Sequence, residues 1–147
     1  MKLNTCSAVL GFATELEEET AKFYDLLAQK YPQAKETFEL FSRENKKFKS
    51  IVERAYYGVI SDALEACFSF KEGLDTDQYS LKTDQGTSFH DVLQVAIDNE
   101  STIQKAYIDA AGLSEALMAD VPRSFRLVAR KREDRITRIK SLMKTPD

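Results

Sequence analysis

Six charged side chains stand in this chain where helical spacing calls for apolar ones, and they are the residues that could do chemistry. The stretch ATELEEETAKFY, residues 13 to 24, is echoed by AIDNESTIQKAY, residues 96 to 107: Ala13 matches Ala96, Glu17 matches Glu100 and Tyr24 matches Tyr107. In the second copy Leu93, Ala96, Glu100, Ile103, Tyr107 and Ala110 follow by steps of three and four, the period of a helix packed lengthwise on others. Glu100 falls on that buried seam. In the first copy the seam is Val9, Ala13, Leu16, Thr20, Phe23 and Leu27, and Leu10, Glu17 and Tyr24 form the adjacent row. Glu17 therefore lies at the edge of the core or inside it. A second helix carries Phe41, Glu44, Phe48, Ile51 and Ala55, with Lys47 one turn beyond Glu44 on much the same side. The last helix carries Phe125, Val128, Arg132, Arg135, Ile139 and Leu142.

A carboxylate removed from water has to be paired or bound to metal. Two chemistries follow. One is a salt-bridged core with Glu17, Glu44 and Glu100 set against Lys47, Arg132 and Arg135, in which the arginines fork onto the acids. The other is a metal site on the oxygens of Glu17, Glu44 and Glu100, a donor set that magnesium, calcium or manganese tolerates. A plainer arrangement has the long cations reaching the bundle end and the acids facing water. Tyr24 and Tyr107 read as core residues whose hydroxyls bond to the buried acids. His90, the single histidine, stands two to three turns before Glu100, too far along the axis to join them.

The elements that must hold these residues are helices. Asn4 or Thr5 caps a first helix over about 5–30, which Tyr31-Pro32 ends. A second helix spans about 33–57, with Gly58 as a stop or kink and an extension or short helix over 61–70. Residues 71–87 are polar, aperiodic and contain Gly73 and Gly86, which reads as a long crossover loop. Ser88 with Asp91 opens a third helix to about 111, and Asp120 with Pro122 opens a fourth over about 121–144. No stretch reads as a strand. The expectation is an all-α single domain over 1–147, a four-helix bundle of two helical hairpins joined by the crossover.

Composition bounds the rest. The net charge is −3, so neither a nucleic-acid nor a membrane partner is expected. Cys6 and Cys67 are far apart and form no Cys-x-x-Cys pair, so they read as small apolar fillers. No apolar run is long enough to span a bilayer, and the N-terminal sequence turns acidic too early for a signal peptide, which makes the cytoplasm the expected location. The fourth helix is strongly basic and the first acidic. Pairing between them or a solvated face is the simple account, and an RNA-binding or acidic-protein-binding stripe is the alternative.

Over residues 8–57 and 90–143 this layout resembles the ferritin-like superfamily, and rubrerythrin-type proteins in particular. Their pattern is a repeated Ala-x-x-x-Glu with Tyr seven residues on, each followed by a helix bearing Glu-x-x-His. The resemblance implies a bundle whose glutamates and histidines bind two irons and reduce peroxide or oxygen, and dimerisation through bundle faces. Carried over, Glu17 and Glu100 match the lone glutamate ligands, Glu44 the glutamate of the first pair, and Tyr24 and Tyr107 the tyrosines beside the site. Lys47 stands where the first histidine belongs, and Arg132 and Arg135 where the second glutamate and histidine belong. Glu133 lies about 100° of helix off that seam. With three ligands replaced by cations, the expectation is a vestigial metal site without cofactor, in a structural, regulatory or interaction module with an unknown protein partner. The alternative is a peroxidase- or ferroxidase-type oxidoreductase that holds iron or another divalent metal on Glu17, Glu44 and Glu100.

Overall fold

Thr5 sets the start of the first helix. In the computed structural model, which describes residues 1–59, 69–84, 86–115 and 120–144, its Oγ1 accepts from the Ala8 N–H at 3.1 Å and caps helix α1, Cys6–Lys30. The helix stops where Tyr31 gives its N–H to the Leu27 carbonyl at 2.9 Å and Pro32 follows. A single 3-10 turn over Pro32–Ala34 leads into α2, Lys35–Val59. Ser88 caps α3, Phe89–Leu113, its Oγ accepting from Asp91 N–H at 3.0 Å. Helix α4 runs over Asp120–Met143 with Pro122 in its first turn.

Helix α1 packs on α2, α3 on α4, and α2 on α4, with a lighter contact between α1 and α3. The end of α1 meets the start of α3, where the rings of Tyr31 and Phe89 are 5.2 Å apart. These contacts make the all-α four-helix bundle that periodicity implies. Among the described residues no helix is long and apolar enough to cross a membrane.

Two expectations are corrected. The chain does contain strands: β1, Lys2–Thr5, pairs antiparallel with β2, Ser69–Asp75, with Leu3 opposite Leu74 and an irregularity between Leu3 and Thr5. Residues 61–68 of the expected extension lie outside the described residues, and 69 and 70 belong to β2. The ribbon escaped detection because it is short and mostly polar, with one buried leucine per strand. Gly73 permits the close pairing, since a Cβ there would meet the Leu3 carbonyl oxygen at 2.8 Å. The crossover thus begins as a strand, makes a 3-10 turn over Thr76–Tyr79, and is then tied to α3. Asn99 accepts from Lys82 N–H at 2.7 Å and donates to the Lys82 carbonyl at 3.1 Å.

The second correction concerns which face of α2 is inside. The buried row is Phe38, Phe41, Asn45, Phe48, Val52 and Tyr56, so the helix is rolled away from the row through Glu44, Ile51 and Ala55. Asn45 and Glu44 both fall within three or four residues of Phe41 and Phe48, and spacing alone cannot choose between them. Bonding chooses, because Asn45 can satisfy its whole amide indoors.

Candidate functional site

A polar layer crosses the bundle between two apolar clusters. One cluster centres on Val9, Phe48, Ala106 and Phe125, the other on Leu27, Phe38, Leu93 and Ile139. The layer consists of Glu17 and Thr20 from α1, Asn45 from α2, Glu100 from α3, and Arg132 and Arg135 from α4, all buried. Three- and four-residue spacing brings each to the inner face of its helix at the same level.

Arg132 lies between the two acids. Its Nη1 donates to both Glu100 oxygens at 2.8 Å, and its Nη2 donates to Glu17 Oε1. The tyrosines cross over between the repeats: Tyr107 donates to Glu17 Oε2 at 2.5 Å, and Tyr24 donates to Glu100 Oε2 at 2.7 Å. Arg135 donates through Nη1 to Asn45 Oδ1 at 2.6 Å and Glu100 Oε2 at 3.4 Å, and through Nη2 to the Phe41 carbonyl at 3.0 Å and Glu44 Oε1 at 3.4 Å. Asn45 Nδ2 donates to Thr20 Oγ1 at 3.0 Å and the Glu17 carbonyl at 3.3 Å. The Nε atoms of both arginines are buried without a hydrogen-bond acceptor. Aromatic faces lie close to them instead: Phe48 is 5.2 Å from the Arg132 guanidinium carbon, and Phe41 is 4.7 Å from that of Arg135.

The fully buried charges cancel, two carboxylates against two guanidiniums. Burial pushes the Glu100 carboxyl up, but Arg132 and Arg135 outweigh it and hold the group below its ordinary value. Burial works against the Arg132 charge, and Glu100 and Glu17 more than restore it. Burial, aided by the neighbouring carboxylates, raises Tyr24 and Tyr107 far above the ordinary phenol range, so both remain donors.

Of the residues singled out by sequence, Glu17, Glu100, Arg132, Arg135, Tyr24 and Tyr107 come together in this layer. Glu44 reaches it from the rim, its side chain one-third exposed. Lys47 does not: it is exposed, because the roll of α2 that admits Asn45 turns it outward. Asn45, Thr20 and the Phe41 carbonyl are members that the charge pattern did not reveal. An asparagine four residues past Phe41 and three before Phe48, in mid-helix, was the available signal. His90 is exposed near the start of α3, Cys6 is buried, and Cys67 lies outside the described residues.

Each of the four oxygens of Glu17 and Glu100 accepts at least one hydrogen bond from within the layer. Among the described residues no group of three or more His, Cys, Asp or Glu is placed to hold a metal ion. Fold and site together define an all-α four-helix bundle crossed by a buried salt-bridge layer. Comparison with protein-family models, with curated proteins and with solved structures gives no match.

Proposed function

We propose that this chain is a ferritin-like bundle in which an arginine–glutamate layer replaces a rubrerythrin-type di-iron centre, leaving a non-catalytic structural, regulatory or interaction module. The observation that carries the reading is Arg132, whose guanidinium bonds both Glu17 and Glu100, the two glutamates that match the lone ligands of the rubrerythrin pattern. The donor set does not fit two irons. Glu17 and Glu100 are already hydrogen-bonded at every oxygen, Glu44 is engaged by Arg135, and guanidinium offers no lone pair to a metal. A cation fixed between the acids supplies the positive charge that metal would bring, and with Arg135 it holds the Glu100 carboxyl below its ordinary value against burial.

The experiment is elemental analysis of protein purified without chelator, followed by titration with ferrous iron under anaerobic conditions. The expected result is no stoichiometric metal and no shift in thermal unfolding on iron addition. Two irons per chain, or peroxide reduction that depends on them, would support the oxidoreductase alternative and overturn this reading.

A further inference from the structure

Three of the arginines on α4 share one row. Arg123, Arg126 and Arg130 follow by steps of three and four, one per turn, and Asp120 and Glu133 bound them at either end of that row. All three arginines are exposed. With Pro122 and Ala129 they form one wall of an open groove of about 660 Å³, whose other wall is Gln104 and Ile108 of α3 and Glu115 of the turn after it. Ile108 is 52% exposed, the one large apolar side chain on α3 or α4 that is exposed among the described residues. Pairing accounts for two of the arginines: Arg126 reaches Glu115, and Arg123 lies 3.6 Å from Asp120. Glu133 instead accepts from Gln104 at 2.9 Å, so Arg130 is left without an acid among the described residues.

We propose that this groove binds a small organic anion with an apolar body, its charged group held by Arg130 and its body laid on Ile108 and Ala129. Size and charge select this class of ligand. The groove has the volume of a small-molecule site. From Arg123 to Arg130 is about 10 Å of helix, and acids close both ends of the row. An acidic peptide or a nucleic-acid strand would run on to Asp120 or Glu133 and meet like charge. An inorganic anion would leave Ile108 in water, and a neutral apolar molecule would leave Arg130 unpartnered. The planar guanidinium fork suits a carboxylate or another oxyanion with oxygens side by side. None of the lining residues belongs to the buried layer, so the outcome here is independent of whether that layer holds metal.

The test uses anilinonaphthalene sulfonate, a dye that joins an anionic group to apolar rings, and follows its fluorescence as it is titrated into the full chain. The expected result is one dye bound per chain, with affinity lowered about tenfold by Arg130→Gln and about tenfold by Ile108→Gln. Both side chains are exposed, so both variants should keep the helical circular dichroism of the wild type. Arg138→Gln, on the same helix but beside Phe41 of α2, should bind as wild type does. Phenylnaphthylamine, which lacks the sulfonate, should bind about tenfold more weakly than the dye. Unchanged dye affinity in the two groove variants, equal affinity for the uncharged amine, or displacement of the dye by polyglutamate would each overturn the proposal.

Discussion

Glu100 accepts from Tyr24, Arg132 and Arg135, and no water reaches it. Glu100→Ala strands a buried guanidinium and should cost about 3–5 kcal/mol in denaturant melts. Glu100→Leu combined with Arg132→Leu should cost far less than the two single changes summed, because neither charge is then left alone. A cost for Glu100→Ala within about 0.5 kcal/mol of wild type would mean that the acid is not held as described. At this scale the sequence was informative where charge interrupted an apolar row, singly at Glu100 and as a pair at Arg132 and Arg135. It was uninformative about partners: the crossing of Tyr24 to Glu100 and of Tyr107 to Glu17 depends on how repeats face each other, which no spacing within one helix encodes.

Among the elements, α2 shows where periodicity stops short. Glu44 and Asn45 are neighbours with similar claims on the inner face, and the outcome rests on the four hydrogen bonds that Asn45 and Arg135 share out among Thr20, the Glu17 carbonyl, the Phe41 carbonyl and each other. Asn45→Leu should therefore cost about 1–3 kcal/mol, because Arg135 Nη1 loses its shortest acceptor and the Thr20 hydroxyl and Glu17 carbonyl each lose a donor. Lys47→Ala should stay within about 0.5 kcal/mol of wild type, as for a surface change. The reverse ranking in urea melts would restore the face through Glu44 and Lys47. Helices whose caps are written locally, such as Thr5 for α1 and Ser88 for α3, were legible at their starts. The β1–β2 ribbon was not, because its pairing joins residues about seventy apart and each strand buries a single leucine, with Phe70 only half-buried beside it.

For the whole molecule, the layer sets a window of pH. Glu100 is depressed below 4.5, so its contribution is present above that pH and is lost as pH falls through the lower folded value. Tyr24 and Tyr107 are raised above 10.0, so their contribution is present below that pH and is lost as pH rises, when the unfolded chain ionises first. Stability measured by urea melts should be flat between these limits and fall on both sides. On the alkaline side the tyrosinate absorbance of these two residues should appear together with loss of helix. Smooth ionisation in a still-helical protein would count against their burial. The excess of arginine on α4 was visible in the sequence once the helices were drawn. That three of them line a groove with Ile108 was not, because it depends on how α3 lies against α4.

The crossed tyrosine–glutamate bonds also bear on whether half of this protein can exist alone. The first hairpin, α1 with α2, brings the fully buried Glu17 and no buried cation, so by itself it holds an unmatched anion. The second, α3 with α4, brings Glu100 with Arg132 and Arg135 and holds an unmatched cation. Each also lacks the hydroxyl that bonds its glutamate, since Tyr107 and Tyr24 sit in the opposite half. The two repeats are therefore obligate complements rather than autonomous copies, and neutrality belongs to their union.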